Sequence, residues 1–186
     1  MDTLTFRPSL VHRIDRDTSG VILIAKTKRS LDRLLSALQN DKMDKTYATI
    51  VTNVPELPRG SIRKKLLRVE NAKNEAKVRV DESGLPAVTH YETLKSKIAG
   101  KYALLQCRIE TGRTHQIRVH LASIGTPVLG DRAYGEVGEN SFAKRKFGIS
   151  RQLLHAWKLE FPHPETGERI RVEAPLEPDM EELLKG

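Results

Sequence analysis

Two short stretches concentrate the side chains that could do chemistry. The first, His12-Arg13-Ile14-Asp15-Arg16-Asp17-Thr18-Ser19-Gly20, packs five ionisable side chains into nine residues and leads directly into the apolar run Val21-Ile22-Leu23-Ile24-Ala25. A carboxylate set among arginines can serve as a nucleophile or a general base. The same residue types also make an ordinary polar turn with surface ion pairs. The second stretch, Thr111-Gly112-Arg113-Thr114-His115-Gln116-Ile117-Arg118-Val119-His120, leads into a helix-like pattern. The first turn of a helix there would offer backbone N–H groups and a positive dipole end to a phosphate.

Other chemistries fit poorly. One cysteine and six scattered histidines provide no zinc-type spacing, and on a helix His115 and His120 would point roughly 140° apart, so no metal site is expected. Ser19 sits in Asp-Thr-Ser-Gly rather than in a Gly-x-Ser-x-Gly elbow, and no glycine-rich loop matches a nucleotide fold. A nucleic-acid hydrolase using Asp15 and Asp17 with a divalent metal is the remaining metal-based reading.

The elements that must position these stretches follow from periodicity. Val21 to Ala25 reads as a buried strand, with the first polar cluster at its mouth. Leucines 31, 34, 35 and 38 mark one face of a helix from Ser30 to Asn40, with Ser30 as N-cap, and Tyr47 to Val51 reads as a strand. Residues 55–80, with two prolines and Arg63-Lys64-Lys65, read as a protruding loop or ribbon able to touch a polyanion. Strands are expected again at 87–94, 102–109, 153–161 and 170–174, the last two forming a hairpin around Pro164-Glu165-Thr166-Gly167. Thr114 is the expected cap of a helix carrying Ile117, Leu121 and Ile124 and ending at Gly125; a short helix over 179–184 closes the chain. Strands outnumber helices and their links are mostly too short for parallel crossovers. The expected class is therefore α+β, a mixed and mainly antiparallel central sheet flanked by helices and loops.

The bulk properties agree with such a domain. With 186 residues, 38% hydrophobic and 30% charged, the chain can enclose one core, and no stretch approaches the roughly 20 apolar residues of a membrane span. The opening residues lack a secretory pattern, and the single cysteine, Cys107, cannot form an internal disulfide and lies in a strand-like apolar run. A cytoplasmic monomer is the expectation, away from membranes. A net charge of +8 favours a polyanionic partner.

Taken in order, His12-Arg13-Ile14-Asp15 with Thr18-Ser19-Gly20, Lys45-Thr46-Tyr47, Gly112-Arg113-Thr114-His115-Gln116-Ile117-Arg118, then Leu154-His155-Ala156 and His163-Pro164, resemble the signature blocks of the RluA-type pseudouridine synthases. The resemblance runs over nearly the whole chain and is strongest to synthases acting on large-subunit ribosomal RNA. It implies a pseudouridine synthase catalytic fold over residues 1–186, isomerising uridine in a structured RNA without a cofactor. Asp15 would be the essential aspartate, Tyr47 the tyrosine packing on the target base, and Arg118 the ion-pair partner of Asp15. Arg13 would enter the space left by the flipped nucleotide. Arg16, Lys26, Lys45, Arg113 and His115 are expected RNA contacts, with Leu154 as an apolar wall. Ile14 stands where the family usually has leucine. Because the chain begins only fourteen residues before Asp15, it is expected to be incomplete at its N-terminus, without the Lys-Pro-x-Gly block or an S4-type RNA-binding domain. A transfer RNA synthase and a non-catalytic RNA-binding module are the alternatives.

Overall fold

The computed structural model of the chain describes residues 6–70 and 76–185. The opening residues 1–5, and residues 71–75 within the expected ribbon, lie outside the described residues. The strands are β1 Ser9–Leu10, β2 Ser19–Gly20, β3 Ile24–Ala25, β4 Asp44–Val51, β5 Arg59–Arg63, β6 Leu66–Glu70, β7 Ala76–Val80, β8 Val88–Ile98, β9 Tyr102–Ile109, β10 Leu154–Pro162 and β11 Arg169–Glu173. The helices are α1 Lys28–Gln39, α2 Gln116–Ala122, α3 Val137–Phe147 and α4 Pro178–Lys185.

The central sheet runs β11-β10-β4-β9-β8-β5, with antiparallel pairing throughout, while β2 joins β10 in parallel. This is the α+β, mainly antiparallel architecture expected from the link lengths. Both faces of the sheet are covered, and the period of two in β4 and β9 shows how. Tyr47, Val51, Ala103, Leu105 and Cys107 pack with Ile117 and Leu121 of α2 on one face. Ala48, Ile50 and Tyr102 pack with Ala143 of α3 and with Met180 and Leu183 of α4 on the other. A fully buried leucine such as Leu105 or Leu121 contributes roughly 1.5–3 kcal/mol to such a core. A third cluster seats Leu34 and Ala37 of α1 on Leu159 and Phe161 of β10. Of the stretch 55–80 expected as a loop or ribbon, β6 and β7 form a ribbon, anchored by Leu66 and Val78 against Ala87 and Val119, whereas β5 instead pairs with β8 at the edge of the central sheet.

Four local expectations are corrected. Val21 to Ala25 is not a buried strand: the chain pairs with β10 at Ser19–Gly20 and with β1 at Ile24–Ala25, and Ile22 and Ile24 remain exposed at 42% and 50%. Continuous apolarity there marks a path at the margin of the sheet, not its interior. Helix α1 is capped by Thr27, whose hydroxyl accepts from the Ser30 N–H, three residues before the expected cap. Helix α2 starts at Gln116 and not at Thr114, because His115 adopts left-handed backbone with φ 53° and makes no side-chain cap. Its Gln116 N–H is taken by the Arg113 carbonyl and its Val119 N–H by the His115 carbonyl. Helix α3 went unanticipated; it presents one buried residue, Ala143, and no apolar stripe.

Two glycines enforce close approaches beside the polar clusters. At Gly20 (φ 110°) any Cβ would collide with the Ala156 carbonyl, and at Gly130 (φ 81°) with the Arg151 carbonyl. The first brings the Asp15 loop onto β10; the second sets the turn that presents Asp131.

Candidate active site

Strand register and two loops gather most of the expected residues. Lys45 and Tyr47 alternate on one side of β4, Tyr47 lies opposite Ala156 and Cys107 in the neighbouring strands, and Leu154 opens β10. The loop before β2 passes over this surface with Arg13 and Asp15, and the segment after β9 returns with Arg113 and His115. Together these seven residues line a cleft of ≈ 620 Å³. A cleft of this size holds a small ligand or one nucleotide.

Asp15 is fixed at its inner edge. Arg118 donates from Nη1 to Asp15 Oδ2 at 3.2 Å, with the two side chains only 7% and 17% exposed respectively. Arg118 does not itself line the cleft; it stands behind the carboxylate. Its other donors go to Asp131, a side chain with no exposure: Nε to Oδ2 at 2.7 Å and Nη2 to Oδ1 at 2.9 Å. Burial works against the guanidinium charge, but the bonds and charges of Asp131 and Asp15 outweigh it and set the Arg118 pKa above the ordinary value.

The Asp15 loop is held from below. Gln152 donates to the Arg16 carbonyl at 2.8 Å and to Thr18 Oγ1 at 3.1 Å. The Thr18 N–H closes the turn on the Asp15 carbonyl, with Asp17 at φ 67°. On the opposite wall Gln116 bonds Thr111, the Arg113 N–H, the Val88 carbonyl and Thr89, which pins the loop carrying Arg113.

The electrostatics divide the cleft. Burial and the neighbouring Asp15 charge push the Tyr47 phenol up to about 12, so it stays neutral and offers a ring face and an O–H. Burial lowers the Lys45 ammonium, with Asp41 partly compensating. His115 is lowered by burial against the pull of Asp15. His12, which lines the cleft, accepts the Leu23 N–H at Nε2, while its buried Nδ1 has no hydrogen-bond partner among the described residues. Among the described residues no three His, Cys, Asp or Glu side chains are grouped to hold a metal ion.

Of the ten expected site residues, seven line the cleft, Arg118 stands behind Asp15, and Arg16 and Lys26 fall outside. Arg16 is exposed and takes part through its backbone carbonyl, and Lys26 is exposed beyond β3. Asp131, Tyr134, Gln116 and Gln152 were missed. Asp131 did carry a signal, as a single carboxylate directly after the apolar run Val128-Leu129-Gly130. The arrangement is a carboxylate aligned by a fixed arginine beside an aromatic and aliphatic wall, rimmed by cations. It can attack carbon or take a proton from a planar, neutral ring held against Tyr47 while phosphates rest on the rim.

Comparison with known proteins identifies the family. The family model described as RNA pseudouridylate synthase matches residues 2–123. The uncharacterized RNA pseudouridine synthase YlyB of Bacillus subtilis is 38% identical over 96% of this chain and 55% of its own length. The ribosomal large subunit pseudouridine synthase C of Buchnera aphidicola subsp. Baizongia pistaciae is 41% identical over 95% of the chain and 55% of its own. The chain spans about half the length of the curated relatives it matches. Among solved structures, human RNA pseudouridylate synthase domain containing 1 superposes with a TM-score of 0.77 at 27% identity, covering 91% of this chain and 69% of that one.

Proposed function

The chain belongs to the RNA pseudouridylate synthase family, and on that premise we propose that it isomerises uridine to pseudouridine in a structured RNA, with Asp15 as the catalytic carboxylate. The observation that carries this reading is the pinning of Asp15 by Arg118 at the inner edge of a cleft walled by Tyr47 and Leu154. Isomerisation breaks the bond from ribose C1′ to N1 and forms one from C1′ to C5. N1 gains a proton, C5 loses one, and no atom is added overall. A carboxylate that attacks carbon or removes a proton is regenerated at the end, so the reaction needs no cofactor.

The other residues take roles that their positions support. Tyr47 stacks on the uracil, and Leu154 closes the apolar side. Extruding the base costs a few kcal/mol of stacking and pairing, offset by contacts in the enclosing cleft. Arg13 stands at the mouth to fill the place the base leaves, and Lys45 and Arg113 hold phosphates, which positions RNA without reading its sequence. Large-subunit ribosomal RNA is the substrate class, in keeping with the names of the relatives in Buchnera and in Nitrosomonas europaea. The chain acts as a monomer in the cytoplasm. Among the described residues no helix is long and apolar enough to cross a membrane.

The test is incubation of the purified chain with unmodified ribosomal and transfer RNA in the presence of a chelator, followed by mapping of pseudouridine. New sites in large-subunit RNA support the proposal. Sites confined to transfer RNA would move the substrate, and binding without any new site would favour the RNA-binding module.

A further inference from the structure

Tyr134 lies outside the cleft yet touches three parts of its surroundings. Its ring lies 5.1 Å from the Arg118 guanidinium carbon and meets the His115 ring edge-on at 5.6 Å between centroids. Its hydroxyl oxygen accepts the Val78 N–H of the β6–β7 ribbon at 2.9 Å and stands 2.8 Å from His115 Nδ1.

The hydroxyl has one hydrogen to give. Val78 N–H is a donor and cannot take it, and His115 Nδ1 is its other hydrogen-bond neighbour among the described residues. Donation to Nδ1 gives that hydrogen an acceptor; Nδ1 then carries the lone pair, and the neutral imidazole bears its hydrogen on Nε2. Nε2 has no hydrogen-bond partner among the described residues, and His115 lines the cleft beside Asp15. Burial opposes protonation of this ring, in agreement with the neutral form. The left-handed backbone of His115 aims the side chain out of the helix start towards Tyr134.

We infer that Tyr134 is a positioning residue that locks His115 as the neutral Nε2–H tautomer, so that the cleft presents one uncharged N–H donor next to Asp15 for an acceptor oxygen of the nucleotide. The donor's use on a nucleotide rests on the proposed function; the tautomer lock does not. A neutral donor suits an uncharged acceptor such as a base carbonyl or a ribose hydroxyl, while Lys45, Arg13 and Arg113 serve the phosphates. Because the phenol also accepts from Val78, the ribbon and His115 are tied to one oxygen.

The test begins with nitrogen-15 NMR of the histidine side chains in the full chain, the His115 signal being assigned by its loss in His115→Gln. At neutral pH the lock predicts an unprotonated Nδ1 and a protonated Nε2. In Tyr134→Phe, which keeps the ring over Arg118 and removes the hydroxyl, His115 should become a mixture of tautomers. A protonated Nδ1 in the unmutated chain, or an unchanged tautomer in Tyr134→Phe, would overturn the inference whether or not the chain turns over. Turnover on ribosomal RNA transcript adds a second readout: in kcat/KM, His115→Phe falls about tenfold below His115→Gln, which retains an N–H donor, the value of one neutral hydrogen bond. Equal losses in both variants would overturn the donor role, whereas an inactive unmutated chain would count against the proposed function and leave the NMR result to decide the lock.

Discussion

Arg118 holds Asp131 with two hydrogen bonds, at 2.7 and 2.9 Å, and only its third donor reaches Asp15, at 3.2 Å. The buried carboxylate thus aims the arginine, and the arginine in turn aims the carboxylate in the cleft.

Asp131→Asn should therefore cost both stability and turnover. Removing one charge from a buried pair strands the other, a penalty of about 3–5 kcal/mol. Asp131 also accepts the N–H groups of Ala133 and Tyr134, so its turn loosens as well. Denaturant unfolding measures the loss; a change below about 1 kcal/mol would show that Asp131 is not what holds the guanidinium.

Gln152 gives the opposite balance. Gln152→Ala removes the two bonds under the Asp15 turn, for an expected loss of about 1–2 kcal/mol. Turnover should fall by about tenfold or more, because a carboxylate displaced by a fraction of an ångström loses alignment with its target. Equal kcat in the variant and the unmutated chain would mean that the turn keeps its shape without Gln152.

Stability should fall with acid over a defined window. His12, His115, His120 and His155 are each lowered by burial from 6.5. Above that value both folded and unfolded histidines are neutral and stability is level. As pH drops below it the unfolded chain takes up protons that the folded chain resists, and each histidine removes at most about 1.4 kcal/mol per pH unit until its folded pKa is passed. Denaturant midpoints at pH 7.5, 6.5 and 5.5 check this; a flat profile from 7.5 to 5.5 would contradict it.

If the cations at the rim hold phosphates, Arg113→Ala should weaken RNA binding about equally across sequences and lower the slope of log affinity against log salt by about 1. Filter binding to ribosomal RNA fragments across a salt series measures the slope. An unchanged slope would remove Arg113 from the phosphate contacts.

How much of this was legible in the sequence depended on whether chain order or space brought the residues together. Asp15, Tyr47, His115 and Leu154 each sit in a distinct motif block; strand register places Tyr47 and Leu154 side by side, and the loops beside β2 and after β9 bring Asp15 and His115 to the same cleft. Asp131 and Tyr134 lie 13 and 16 residues beyond Arg118, past a turn whose course is set by Gly130, and only folding returns them to it. The run at Val21 to Ala25 misled because apolar residues at a sheet margin look like those in its centre. Helix α3 left no periodic signal, since Val137 and Phe142 face outward and Ala143 alone is buried. The cap of α1 was displaced because Thr27 and Ser30 are both cap formers, and backbone geometry favours the earlier one.

The central claim is that Asp15 performs the chemistry. The most direct measurement compares the unmutated chain with Asp15→Asn on unmodified large-subunit ribosomal RNA, mapping pseudouridine after equal RNA binding and equal unfolding midpoints have been verified. New pseudouridine is expected from the unmutated chain and none from Asp15→Asn; pseudouridine formed at comparable rates by both would rule out Asp15 as the catalytic carboxylate.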